Sequence, residues 1–150
     1  MVLRASASVE VRATPQEILE FVLDLDRYGQ VDSKILAVGS VVGPDEAGRG
    51  RVRLWTRLKW TPPAPDAHTF ELQRWSRLTF SGVARQPSRL ILDFTGVVEC
   101  QPSPDKTRVT HWYEMRFRGP FRLLERPHRA WLQQDLEEEL QRVADWFDRP

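Results

Sequence analysis

His111, Tyr113 and His128 are the side chains in this sequence whose types and places could do chemistry. His111 and Tyr113 stand two residues apart, so in a strand they share one face, and His128 falls near the start of the last helical segment. A tyrosine hydroxyl and an imidazole can hydrogen-bond a carbonyl or phenolate, and an imidazole near neutral pH can also move a proton. The plainer alternative makes His111 a satisfied core histidine, brings the Tyr113 hydroxyl to a rim and leaves His128 facing solvent.

Other chemistry finds less support. His68, His111 and His128 are the only histidines; no pair lies three or four apart, and none joins a cysteine or carboxylate at zinc spacing. No metal and no cofactor is expected. Gly48-Arg49-Gly50 precedes a strand instead of a helix N-terminus, so it reads as a hairpin turn and not as a phosphate cradle. Cys100 is the single cysteine and has no base beside it in sequence, which leaves neither an internal disulfide nor an activated thiol.

The 150 residues suit one domain over 1–150, and 41% hydrophobic with 29% charged residues is an ordinary globular balance. A formal net charge of +1 provides no field for a nucleic-acid backbone, so nucleic acid is not an expected partner. No run approaches the 18 apolar residues of a membrane span, and Met1 to Arg12 lacks a signal-peptide core. With one cysteine, a reducing cytoplasm is the expected compartment.

Leu3, Ala5, Ala7, Val9 and Val11 alternate with polar residues, which predicts a first strand. Thr14-Pro15-Gln16-Glu17 supplies an N-cap hydroxyl, a proline at the first helical position and an acid that can close a capping box. A helix to about Leu25 should follow, then a short helical turn after Asp26-Arg27-Tyr28-Gly29. Six strands are expected near 33–42, 49–60, 68–74, 77–82, 89–99 and 107–118, the middle two being separate strands or one bent strand. The last segment carries an apolar stripe of Trp131, Leu132, Leu136, Leu140, Val143 and Phe147, with a turn at 121–125 and a helix starting at Arg126 or Pro127.

This order, with the Ala13–Val22 helix start, the Asp24-Leu25-Asp26-Arg27-Tyr28 turn, the Thr107-Arg108-Val109-Thr110 strand opening and the C-terminal amphipathic helix, resembles the START-like helix-grip superfamily. In particular it looks like the bacterial polyketide cyclase/dehydrase and lipid-transport branch. The resemblance implies an α+β helix-grip fold, with a curved seven-stranded antiparallel sheet around a long C-terminal helix. Members include aromatase/cyclases, lipid and coenzyme Q carriers and hormone receptors, so the resemblance specifies fold better than activity.

Within such a fold, alternation assigns the inward faces. Val52, Leu54, Thr56, Leu58 and Trp60 oppose Arg51, Arg53, Arg57 and Lys59; Phe70, Leu72, Leu78, Phe80, Leu90, Leu92, Phe94, Val109, His111, Tyr113, Met115 and Phe117 follow by the same rule. The expected ligand-lining set is Val52, Leu54, Thr56, Leu58, Trp60, Phe70, Leu72, Phe80, Leu92, Phe94, His111, Tyr113, Met115, His128, Trp131 and Leu132, between the sheet and the helix beginning near Pro127. The resulting expectation is a binder or carrier of a small hydrophobic molecule, lipid or aromatic. One alternative is a polyketide cyclase or aromatase-dehydratase with His111 and Tyr113 as catalytic proton-transfer groups, and another is a protein-interaction module with a vestigial pocket. Arg116, Arg118, Arg122, Arg126 and Arg129 could attract an anionic head group or transiently contact an anionic membrane surface; the ordinary reading is a solvated face, partly paired to Glu114, Glu125 or Asp135.

Overall fold

The structure, a computed structural model, describes residues 2–83 and 86–149. Seven antiparallel strands form one sheet: β1 (Leu3–Val11), β2 (Ile35–Val42), β3 (Arg49–Thr56), β4 (Ala64–Gln73), β5 (Arg77–Gly82), β6 (Leu92–Pro102) and β7 (Thr107–Phe117). Strands β2 to β7 run as a meander, and β1 closes the order β1-β7-β6-β5-β4-β3-β2 by pairing with β7. Two short helices, α1 (Pro15–Leu23) and α2 (Leu25–Tyr28), connect β1 to β2, and the chain ends in α3 (Glu125–Asp148). This is the curved-sheet, long-helix arrangement of the α+β helix-grip fold.

Local chemistry accounts for the helix starts. Thr14 Oγ1 accepts from the Glu17 amide at 3.2 Å, and the Glu17 carboxylate accepts from the Thr14 amide at 2.8 Å, which closes the expected capping box. Pro127 lies within the first turn of α3, where its missing N–H has no intrahelical partner to lose. The helix therefore begins at Glu125, ahead of the expected Arg126 or Pro127, after a 3-10 turn at Gly119–Leu124.

Several strand ends differ from expectation; β2 starts at Ile35 instead of 33 and β6 runs on to Pro102 instead of 99, and three other ends have a clear local cause or consequence. Pro65 sits inside β4 opposite Trp55, so β4 starts at Ala64, earlier than 68. Residues Pro87–Leu90 form a 3-10 turn, so β6 starts at Leu92, and Leu90 is 76% exposed instead of inward-facing. β3 ends at Thr56, before the expected residue 60. The middle pair is two strands, β4 and β5, in register from His68–Gly82 to Gln73–Arg77.

Two packed regions result. Leu132 and Leu136 of α3 join Leu3, Ala5, Tyr113, Met115 and Phe117 at one end of β1 and β7. Leu140, Val143 and Ala144 join α1 and the inner faces of β3 to β7 at the other. Gln133 locks α3 to the β1 backbone, accepting from the Ser6 amide at 3.2 Å and donating to the Ser6 carbonyl at 2.8 Å. Leu136 is fully buried, and truncating it leaves a hole that this rigid frame cannot close. Leu136→Ala should therefore lower stability by about 3 kcal/mol in urea denaturation, whereas a loss below about 1 kcal/mol would mean that α3 is not tightly seated.

Candidate functional site

Alternating inward residues of β3 to β7 face α1 and α2 across a volume that the side chains do not fill. The cavity measures about 140 Å³. Its apolar walls come from Val22, Leu25, Ile35, Leu54, Leu58, Phe80, Ile91, Leu92, Phe94, Val98 and Met115. Gly96 forms part of the β6 wall because a Cβ there would stand 2.8 Å from the Phe94 ring; its absence lets that ring fold against its own strand. Phe94 then lies between two polar groups, 5.2 Å from the ring of Tyr113 and 5.2 Å from that of His68.

The larger polar group is built around Lys34. Its Nζ lies 2.8 Å from Asp32 Oδ1, 2.8 Å from Asp135 Oδ2 and 2.9 Å from Glu139 Oε1, and all four residues are buried. Tyr28 donates to Glu139 Oε2 at 2.5 Å, and Tyr113 adds weaker bonds to both Glu139 oxygens at 3.3 and 3.4 Å. His111 Nδ1 stands 3.2 Å from Glu139 Oε2, near enough for attraction but without the alignment of a hydrogen bond. The carboxylates of Asp32, Asp135 and Glu139 converge within 4.8 Å, as metal ligands do, and the Lys34 ammonium takes the cation's place among them.

The energetics of this cluster are those of charges removed from water. Burial disfavours the Lys34 ammonium, but Asp32, Glu139 and Asp135 outweigh it and hold the group protonated well above the ordinary lysine range. Burial likewise opposes ionised Glu139, and Lys34 with the His111 and Tyr28 contacts outweighs it, so Glu139 stays ionised far below the usual carboxylate range. Asp32 goes the other way: burial and the nearby Glu139 charge raise it to about 6 despite Lys34. Burial and Glu139 push both Tyr28 and Tyr113 well above the usual phenol range, so both keep their protons.

The second polar group lies on β4. Asp66 and His68, two residues apart, both point into the cavity. His68 Nε2 is 2.8 Å from Asp66 Oδ2, Ser88 donates to Asp66 Oδ1 at 2.8 Å, and Thr56 reaches Oδ2 at 3.4 Å. Burial alone would raise Asp66; the bonds from His68, Ser88 and Thr56 outweigh it and hold the carboxyl below its usual value.

Of the residues expected to line a ligand site, Leu54, Thr56, Leu58, Phe80, Leu92, Phe94, His111, Tyr113 and Met115 do line this cavity. Val52, Phe70 and Leu72 are buried in the core cluster on the same inward faces and do not line this cavity. Trp60 is 54% exposed: β3 has already ended, the residue adopts φ 66°, and its ring packs on His128 at 5.3 Å. His128, Trp131 and Leu132 lie away from the cavity too, because α3 packs on β1 and β7 and contributes no lining residue among those described. His128 is buried, not solvent-facing; it sits between the rings of Trp60, Phe117 and Trp131, with Nδ1 2.7 Å from the Leu124 carbonyl. The cavity thus lies between the sheet and α1–α2, and Asp135 and Glu139 of α3 contact its lining residues Lys34, Tyr28 and Tyr113 without lining it themselves. Arg118 pairs with Asp93, and Asp135 with Lys34, in place of the arginine partners expected from sequence.

The residues of this candidate site not foreseen from sequence are Asp32, Lys34, Asp66, His68, Asp135 and Glu139. Two signals were present. Asp135 and Glu139 fall at three- and four-residue spacings from Leu132, Leu136, Leu140 and Val143, hence on the buried stripe. His68 shares the parity of Phe70 and Leu72.

Comparison with known proteins places this geometry. Residues 2–147 match the family model described as polyketide cyclase / dehydrase and lipid transport. The Zhui aromatase/cyclase from Streptomyces sp. R1128 superposes with a TM-score of 0.79 at 12% identity, covering 99% of this chain and 95% of that one. A protein from Thermus thermophilus gives 0.72 at 18% identity, covering 95% and 94%. A START superfamily protein from Mycobacterium smegmatis gives 0.68 at 15% identity, covering 96% and 98%. At these identities the likeness is one of fold. No curated protein sequence matches significantly.

Two variants test the buried cluster. Glu139→Gln removes the acceptor that Lys34, Tyr28 and Tyr113 share while Asp32 and Asp135 still compensate the ammonium, so it should cost about 1–3 kcal/mol in denaturant unfolding. Asp32, whose folded-state value of about 6 exceeds its ordinary 3.8, holds a proton in the folded chain that the unfolded chain has released between those pH values. Its contribution to stability is therefore greatest below about pH 4 and falls as the pH rises through 6, by roughly 3 kcal/mol in all. Asp32→Asn keeps an acceptor for Lys34 and should abolish that fall, making the variant at least as stable as the parent at pH 7.5. An equal destabilisation at pH 5 and 7.5 would show that the Asp32 charge is required.

Proposed function

The chain belongs to the polyketide cyclase/dehydrase and lipid-transport family, and from that premise we propose that it binds a small hydrophobic molecule in the cavity between its sheet and α1–α2. The observation that carries this reading is unfilled volume with mostly apolar walls between the sheet and α1–α2. Such a hole forfeits contacts on every wall, and a ligand restores them at about 0.8 kcal/mol per buried methylene.

Size limits the ligand. A cavity near 150 Å³ accommodates about one benzene ring, so the 140 Å³ present here takes one aromatic ring or a short branched chain whole. A longer lipid or a multi-ring molecule would have to leave through the segments 57–62 and 86–91, whose residues Leu58, Thr61, Pro62, Ser88 and Ile91 border the space. Exposed Trp60, Leu90 and Leu123 stand on the turns at that end, next to the exposed bases Lys59, Arg122 and Arg126. In this reading those residues favour loading from an anionic membrane surface.

The cyclase alternative rests on the same cavity. His111 and Tyr113 are poor candidates for its proton transfer: Tyr113 holds its proton firmly, and both side chains face Glu139, which is already committed to Lys34 and Tyr28. Their better-supported role is to complete the polar wall.

The test is binding. Native mass spectrometry of freshly purified protein should reveal a hydrophobic adduct, and 1,4-dimethylbenzene should raise the melting temperature in proportion to ln(1 + [L]/Kd). Leu92→Trp, placed at the half-buried border of the cavity, should abolish that rise. No adduct, together with no shift from a panel of aromatic and aliphatic probes, would refute cavity binding.

A further inference from the structure

In the Lys34 cluster the ammonium and both tyrosine hydroxyls are bonded to carboxylates, and His111 Nδ1, although it makes no hydrogen bond, stands 3.2 Å from Glu139 Oε2. His68 differs. Its Nδ1 is buried and has no hydrogen-bond partner, although the residue is only 6% exposed and lines the cavity. Leaving a buried ring nitrogen unpaired is unfavourable unless something else completes it.

Which proton state Nδ1 presents follows from the other side of the ring. Asp66 receives Ser88 on Oδ1 and Thr56 on Oδ2, and it faces His68 Nε2 at 2.8 Å. The carboxyl is held ionised by these contacts, so it can only accept. The Nε2 atom must therefore carry a proton, and in the neutral ring Nδ1 is left as a bare acceptor. Gln86 fixes the strand beneath, with a two-way pairing to the Ala67 backbone, donating to its carbonyl at 2.9 Å and accepting from its amide. The imidazole is thus aimed by a second residue and braced by a third.

We propose that Asp66 and His68 form a recognition site for a hydroxyl group, His68 Nδ1 accepting the O–H of a phenol, enol or alcohol whose apolar body lies against Phe94. The inference deepens the binding reading and rests on it: it assigns the chemical class of the ligand, a hydrophobic group of about one ring bearing a hydrogen-bond donor. His68 is the contacting residue, and Asp66 is a positioning residue that acts through the tautomer.

Two probes of nearly equal shape separate the ideas: 4-methylphenol, and 1,4-dimethylbenzene, which replaces the hydroxyl with a methyl group. Calorimetric titration of the full chain should show the phenol bound at least about tenfold more tightly, after correction for its lower cost of leaving nonpolar solvent for water. His68→Leu should bring that ratio close to one, and Asp66→Asn should reduce it, because an amide can donate to Nε2 and move the ring proton to Nδ1. Nitrogen NMR of histidine-labelled protein without ligand gives an independent readout, with Nδ1 unprotonated and Nε2 protonated at pH 7.5, and Nδ1 shifting on addition of the phenol. A ratio near one in the parent protein, a preference that survives His68→Leu, or a proton found on Nδ1 would overturn the proposal while cavity binding stands. Failure of both probes to bind would overturn cavity binding and the hydroxyl site together.

Discussion

An ammonium group withdrawn from water has to be surrounded by acceptors, and the acceptors around Lys34 tie together segments far apart in the chain. Asp32 belongs to the turn after α2, Asp135 and Glu139 to successive turns of α3, and Lys34 itself to the entry of β2. Ser33 adds a bond to Asp135 at 3.1 Å. Directional bonds hold α2, β2 and α3 in one relative position, where apolar contacts alone would let them slide together. Three carboxyl groups around one ammonium are too many to be ionised cheaply, and Asp32 is the one whose value rises to about 6.

That fixed frame explains why volume remains. Apolar packing seats α3 on β1 and β7 through Leu132, Leu136 and their neighbours, and the buried ions hold its middle turns at the edge of the inner space. Collapse of α1 and α2 onto the strands would require breaking or dragging charged groups through an apolar interior, which costs more than the contacts forgone around a hole of 140 Å³. The cavity is consequently bordered by two polar groups with the Phe94 ring between them: the ion cluster around Lys34, and the Asp66–His68 pair with its unused ring nitrogen.

Much of the architecture was legible in the sequence because period-two and helical patterns are local. The alternation in residues 107–118 placed Val109, His111, Tyr113, Met115 and Phe117 inward, and all five are buried. The Thr14-Glu17 capping box was equally readable. Local patterns failed where long-range packing decides: Trp60 continues an alternation past the end of its strand, and the stripe on α3 says that it is buried without saying against which strands. The Lys34 cluster was missed for a related reason. Asp135 and Glu139 interrupt a buried stripe, but no spacing in sequence links them to residues 32 and 34.

The account stands on the interior being incompletely filled. Xenon enters apolar cavities of this size without needing polar contacts, so crystals of the protein pressurised with xenon provide the most direct measurement. The expected result is a single strong xenon peak enclosed by Leu54, Phe94 and Met115, with the surrounding side chains in place. An interior with no xenon, its volume taken by rearranged side chains from α1 or β3, would contradict the account.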